Sequence, residues 1–356
     1  MLPSLSRLAL GTLLAAGTLI ALPAVAGKTL DGIKARGQLV CGSNPGLPGF
    51  GAADSQGNWT GLDVDICKAI AATVLNDASK VKWTPLNASQ RFAVLQSGEI
   101  DVLSRNTTWT LTRDASLGLH FTGVTYYDGQ GFMVPLKRED PKTKKMVPAP
   151  KITSAKQLKG ATVCVQSGTT TEKNLSDFSK ANNLAIKPVV FDTQEATNKA
   201  YFAGRCQAYT TDASGLASVR NKEAGNPDDH LILPDLISKE PLGPSVRRGD
   251  DEFFAIVKWV VYALIEAEEY GITQANVDQM KADSKDPVVQ RILGTSEDTG
   301  KLLGLDKDWA YRAIKAVGNY GEIFERNVGP KSPLKLPRGA NNLWNKGGLM
   351  YAPPVR

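Results

Sequence analysis

The chain has 356 residues, 42 Lys and Arg against 36 Asp and Glu, a formal net charge of +6, and 42% hydrophobic residues. This length and balance predict two globular domains and exclude disordered, collagenous and small disulfide-scaffold chains. Only two His occur, His120 and His230, which excludes a multi-histidine metal centre. No long block of like charges supports nucleic-acid binding.

The first 26 residues read as an export signal. Arg7 gives a positive start, Leu8 to Leu22 is apolar and uncharged, and Ala24-Val25-Ala26 offers small residues to a signal peptidase. Cleavage is expected after Ala26. An anchor helix is the alternative, but the run is short of the roughly 20 residues a span needs. Export places four cysteines in an oxidising compartment, where an even count predicts disulfides. Of three possible pairings, Cys41 with Cys67 and Cys164 with Cys206 are expected, because each stays within one domain. Four buried thiols are the alternative.

Strand-like and helix-like segments then alternate. QLVCGS (38–43), VKWTPL (81–86) and IDVLSR (100–105) read as strands. GLDVDICKAIAATVL (61–75) and ASQRFAVLQSG (88–98) read as the helices between them. The order recurs: strands at 161–167, 186–191 and 206–212, with helices over 170–182 and 193–205. Such alternation predicts mostly parallel sheets in two α/β lobes. LQSGEIDVL (95–103) and YFAGRCQAY (201–209) end the two copies alike. Between the copies, LKREDPKTKKMVPAPK (136–151) reads as a solvated basic loop, with a docking patch as the alternative.

A Pro-rich return segment, LILPDLISKEPLGPSVRRG (231–249), precedes a long helix from Asp250 to about Tyr270. The chain therefore leaves lobe one near Gly131 and returns near Leu242, and two crossings make a hinge with a cleft. Lobe one is expected over 27–131 and 243–356, including a C-terminal extension, and lobe two over 132–242. Trp309, Ile314, Val317 and Phe324 form an apolar stripe expected in the core. The Pro- and Gly-rich ending (332–356) is expected to wrap the surface.

Three places could carry chemistry. In QSGTTTE (166–172) a strand ends, Gly168 permits a turn, and Thr169 and Thr170 open a helix whose free N–H groups suit an anion; helix capping alone is the alternative. SRNTTWTLTRD (104–114) follows the last core strand of lobe one, where ligands of α/β sheets bind. There Asn106, Thr107, Thr108 and Arg113 suit a carboxylate, Arg gripping both oxygens. Asp212 takes the equivalent position in lobe two and suits an ammonium group, or caps the next helix. Together they describe a clamp for an α-amino acid: its carboxylate at Arg113 and the N–H groups of Thr169 and Thr170, its ammonium at Asp212. GTSEDTGK (294–301) has one residue too many for a phosphate loop.

WTGLDVDICKAIA (59–71), LQSGEIDVL, the segment 106–113, QSGTTTE and AGRCQAYTTD resemble the periplasmic polar-amino-acid-binding proteins of ABC importers, over roughly 38–270. VGNYGEIFERNVGP (317–330) and GGLMYAPPVR resemble its longer, general L-amino-acid-binding branch. The resemblance implies an α/β, two-lobed type II fold with two hinge crossings. It implies carboxylate binding by Thr108, Arg113, Gly168, Thr169 and Thr170, and ammonium binding by Asp212. SNPGLPGF (43–50) departs from the family: Asn44 and Leu47 stand where an acid and an aromatic are common, although Phe50 remains a candidate against the ligand. Arg105 stands where smaller residues are common. Arg91 matches an Arg that contacts side-chain carboxylates in relatives taking aspartate and glutamate; a surface ion pair is the alternative for both arginines. The expectation is a monomeric periplasmic receptor that delivers L-amino acids, including Glu, Gln, Asp and Asn, to an inner-membrane ABC permease. It needs no metal or cofactor and performs no reaction. A cyclohexadienyl-type dehydratase on the same fold is the alternative.

Overall fold

The structure is a computed structural model that describes residues 28–140 and 142–356. The expected export signal and its cleavage after Ala26 lie outside the described residues.

Both copies of the strand–helix alternation form five-stranded sheets. The first runs, edge to edge, Val81–Pro85, Leu39–Ser43, Val102–Leu103, Ser245–Arg247 and Leu119–Phe121. The second runs Lys187–Phe191, Thr162–Gln166, Ala208–Asp212, Gln130–Pro135 and His230–Ile232. Each sheet is parallel except for one reversed strand, Ser245–Arg247 in the first and Gln130–Pro135 in the second. These reversed strands directly follow the two crossings of the chain. The crossings pair as an antiparallel ribbon, Tyr126–Asp128 with Glu240–Leu242, which sets Glu240 opposite Asp128. The molecule is thus two α/β lobes joined by two strands.

Packing explains the element lengths. The helix Leu62–Leu75 is apolar nearly all round and buried along almost its whole length, the pattern of a helix enclosed by the core. It packs on Trp309–Val317, and Thr73 Oγ1 donates to the Trp309 carbonyl at 3.1 Å. Trp309, Ile314, Val317 and Phe324 are all buried, as expected. The helices expected at 88–98 and 193–205 shorten to Arg91–Ser97 and Gln194–Phe202. Thr193 ends the second of these at its start, its side chain accepting from Ala196 N. The strand expected over 100–105 contracts to Val102–Leu103. Both disulfides take the expected pairing, with Cα separations of 6.4 Å for Cys41–Cys67 and 5.6 Å for Cys164–Cys206.

Two regions differ from expectation. The basic segment 136–151 contains a hairpin, Lys137–Glu139 against Met146–Pro148. Asp140 Oδ1 accepts from the N–H groups of Lys142 and Thr143 and so shapes its turn. The C-terminal stretch does more than cover a surface, because Leu343, Met350 and Val355 are buried in the main core. Asn341 also grips the crossing strand: Tyr127 N donates to its Oδ1 at 2.7 Å, and its Nδ2 donates to Tyr127 O at 3.1 Å.

Candidate ligand site

The wall on lobe one is built by the loop after Val102–Leu103. Asn106 adopts φ 30°, a strained value for a residue with a side chain. Its N–H donates to Asp63 Oδ2 at 2.7 Å, and Ser104 donates to Asp63 Oδ1 at 3.3 Å. Asp63 is buried at the start of Leu62–Leu75, and burial pushes its carboxyl up to about 6. This support for the loop was missed in the sequence, although GLDVD contains it.

Three guanidinium groups gather here. Arg91 opens the helix Arg91–Ser97, is 3% exposed, lies over the Phe92 ring at 4.9 Å, and has no partner for its Nε. Arg105 Nε donates to Leu86 O at 2.9 Å. Arg113 Nη1 donates to Thr108 O at 2.9 Å, and its guanidinium lies 5.0 Å from the Phe92 centroid. Burial pushes Arg105 and Arg113 down to about 10. Arg91 is held well below the ordinary value, first by burial and then by the charges of Arg113 and Arg105. Arginine stays protonated at neutral pH, so the wall presents crowded, underpaired positive charge.

The wall on lobe two begins at Gly168, with φ 71°. A Cβ there would sit 3.1 Å from Ser89 Cα of lobe one, so the close approach of the lobes favours Gly. Thr169 is the N-cap of Thr170–Ala181, its Oγ1 accepting from Glu172 N at 3.1 Å. Asp212 ends Ala208–Asp212 and precedes the helix Ala213–Glu223, yet its side chain makes no capping bond. It faces the cleft instead. Its carboxyl is held well above the usual range by burial and by the negative Asp128 and Glu240, against the pull of Arg91 and Arg113.

Glu240 and Asp128 on the hinge ribbon were missed in the sequence. Glu240 is 1% exposed. Its Oε2 accepts from Thr108 Oγ1 at 2.6 Å and from Thr170 Oγ1 at 2.8 Å, one from each lobe. Its Oε1 accepts from Asn174 at 2.8 Å and Ser238 at 2.5 Å. Asp128 accepts from Ser214 Oγ and Gly129 N, and burial pushes it up to about 6. An acid amid prolines in SKEPLGP was the available signal, but only strand pairing reveals what it faces.

Between these walls lies a cleft of ≈ 520 Å³, counted out to its mouth. Arg91, Arg105, Asn106, Thr108, Thr169, Thr170 and Asp212 line it together. Arg113 lies just behind, through Thr108. Gly168 is not a lining residue and acts through the approach to Ser89. Phe50 is not a lining residue either, which corrects the expectation of a ring against the ligand. It is 1% exposed and packs edge-on against Tyr126 at 5.1 Å. A turn through Gly49, closed by Phe50 N to Leu47 O at 3.0 Å, leaves Leu47 at the cleft in its place. Gln166, Thr171, Gln194, Tyr209 and Thr211 also line the cleft and were not anticipated.

Residues 39–276 match the family model of bacterial extracellular solute-binding proteins, family 3. The chain is 60% identical to the general L-amino acid-binding periplasmic protein AapJ of Rhizobium johnstonii, over 94% of both chains. It is 54% identical to the glutamate/glutamine/aspartate/asparagine-binding protein BztA of Rhodobacter capsulatus, over 94% of this chain and 95% of that one. Among solved structures, an ABC transporter periplasmic binding protein from Brucella ovis with glutathione bound superposes with a TM-score of 0.86. That structure is 56% identical, over 92% of this chain and 99% of the other.

Proposed function

The chain belongs to the bacterial extracellular solute-binding proteins, family 3, and from that membership we propose a periplasmic receptor that captures L-amino acids and passes them to an ABC permease. Glu, Gln, Asp and Asn fall within its range, as the names of AapJ and BztA suggest. The lobes in this reading are 27–131 with 243–356, and 132–242, and the receptor works as a monomer without catalysing a reaction.

One observation carries the reading: buried arginines on one wall, with the Arg91 Nε unpartnered, lie across the cleft from a buried Asp212 whose side chain makes no capping bond. A zwitterion with a further polar group complements both. The ligand's α-ammonium pairs with Asp212. Its α-carboxylate draws on Arg113 and on the main-chain N–H groups of Thr169 and Thr170. The Thr108 and Thr170 hydroxyls each have one proton, and both are directed at Glu240. Glu240 therefore orients the threonines, while charge for the ligand comes from the guanidinium. Arg91 takes a side-chain carboxylate. Because the partners are split between lobes, a bound ligand favours closure.

Calorimetry of ligand-stripped protein with a panel of amino acids tests this, and the absence of binding to every member would overturn it. The raised carboxyl of Asp212 is also what a dehydratase would need as a proton donor. Incubation with prephenate or arogenate is expected to give no turnover.

A further inference from the structure

The side-chain amides of Asn106, Asn44 and Gln194 form a chain that crosses between the lobes beside the cleft. Gly46 N donates to Asn44 Oδ1 at 3.0 Å. Asn44 Nδ2 donates to Asn106 Oδ1 at 3.2 Å within lobe one and to Gln194 Oε1 at 3.1 Å on lobe two. The direction of this chain is fixed at one end. A main-chain N–H only donates, so the Asn44 oxygen must face Gly46 and its nitrogen must face the other two amides. Arg105 Nη1, also only a donor, points at the same Asn106 Oδ1 at 3.4 Å and fixes that amide independently. Both hydrogens of Asn44 Nδ2 are thereby used. The NH2 groups of Asn106 and Gln194 are left without a partner among the described residues, and both residues line the cleft.

In the amino-acid reading above, the α-groups lie with Arg113, Thr169, Thr170 and Asp212. The ligand side chain then faces the corner of the cleft lined by Arg91, Arg105, Asn106 and Gln194. The groups this corner has left over are N–H donors. Among the described residues, Asp212 is the only acid that lines the cleft, and the α-ammonium occupies it. We propose that Asn106 and Gln194 are specificity-determining residues that read a side-chain oxygen, with Asn44 as the positioning residue that aims both. Asn44 does not itself line the cleft, so it acts through the other two. One oxygen is what a carboxylate and a carboxamide share, and Arg91 adds the charge that only the carboxylate answers. A hydrocarbon side chain would leave both NH2 groups unpaired, and a cationic one would meet donors and guanidinium charge. The proposal rests on the amino-acid reading and adds to it which side chains are refused and the residues that refuse them.

The test is calorimetry of ligand-stripped protein with L-glutamine, L-glutamate, L-norleucine and L-lysine, on wild type and on Gln194→Leu and Asn44→Ala. Weak ligands are measured by their competition with glutamine. Wild type is expected to bind glutamine and glutamate at least tenfold tighter than norleucine, which has the length but not the oxygen, and to bind lysine no better than norleucine. Gln194→Leu removes one donor, and Asn44→Ala frees both amides to turn. Each variant should weaken glutamine at least fivefold and leave norleucine within twofold, a change of ratio that a general loss of packing would not produce. Either variant suffices if the other does not fold. Norleucine or lysine binding to wild type as tightly as glutamine sinks the proposal and leaves the receptor reading standing. So does a glutamine-to-norleucine ratio that the variants leave unchanged, whether both ligands weaken equally or neither weakens. Failure of every amino acid to bind wild type sinks the receptor reading and the proposal with it.

Discussion

The two walls of the cleft solve opposite problems with different materials. Lobe one sets Arg91 and Arg113 over the Phe92 ring, Arg113 behind Thr108, and adds Arg105 bonded to Leu86 O. Lobe two offers hydroxyls, a helix start and one acid, Asp212. Neither wall alone matches a zwitterion: the first lacks an anion at its face, the second a side-chain cation. The contrast teaches that affinity should depend on both lobes at once, whereas discrimination between ligands should be concentrated on lobe one.

The severest way to break that comparison is to remove one charge from each wall. Arg113→Ala and Asp212→Asn should each lower affinity for every amino acid by ~10²–10⁴-fold, since truncating one member of a buried charge pair costs about 3–5 kcal/mol. Calorimetry showing a loss for only one of them would mean that a single lobe does the binding. Next in size are the disulfides, one per lobe. Sequence separations of 26 and 42 predict about 3–4 kcal/mol of stability from each in the chain-entropy model. Cys41→Ser/Cys67→Ser and Cys164→Ser/Cys206→Ser should show this in denaturant titrations, with equal midpoints for mutant and wild type as the contrary result.

Arg91→Ala sharpens the comparison at a smaller scale. Glutamate and aspartate should weaken ~10–100-fold, the loss of a charge-assisted hydrogen bond of about 1.5–3 kcal/mol, while neutral amino acids stay within about twofold. Uniform losses across the panel would deny Arg91 a side-chain role. The smallest effect is on pH dependence. Asp63 and Asp128 are pushed up to about 6, and Asp212 well above the usual range. A raised carboxyl holds its proton more tightly in the folded chain than in the unfolded one. That stability is present below the ordinary carboxylate range and is lost as pH rises toward about 6. Ligand-free protein should therefore lose melting temperature across this window, and Asp128→Asn should flatten the slope. An unchanged slope in thermal scans of the variant would remove Asp128 from the account.

The sequence made the lobes legible because helix and strand periodicities alternate cleanly, and because the two copies end on matching Gly-containing motifs. Thr108, Thr170 and Asp212 were legible because they sit at strand ends or helix starts, where α/β sheets expose polar groups, whereas Arg91 and Arg105 were singled out only through the family resemblance. Phe50 misled, because a turn one residue earlier decides whether a ring faces the cleft or the core. Glu240 and Asp128 were hidden for another reason. They lie more than a hundred residues apart in the chain and meet only through ribbon pairing, which no local pattern encodes. Asn341 was hidden likewise, since a polar residue in a Pro- and Gly-rich tail carries no periodic signal.

Asn341 has a consequence for assembly. Its side-chain amide imitates one residue of a third strand against Tyr127, on a ribbon that is otherwise only two strands wide. An uncovered ribbon edge invites pairing with a neighbouring chain. A polypeptide made from its N-terminus carries that edge bare until the residues around 341 arrive. The tail is thus the last stitch of the hinge, closing the ribbon edge only after the strands of both lobes have been made.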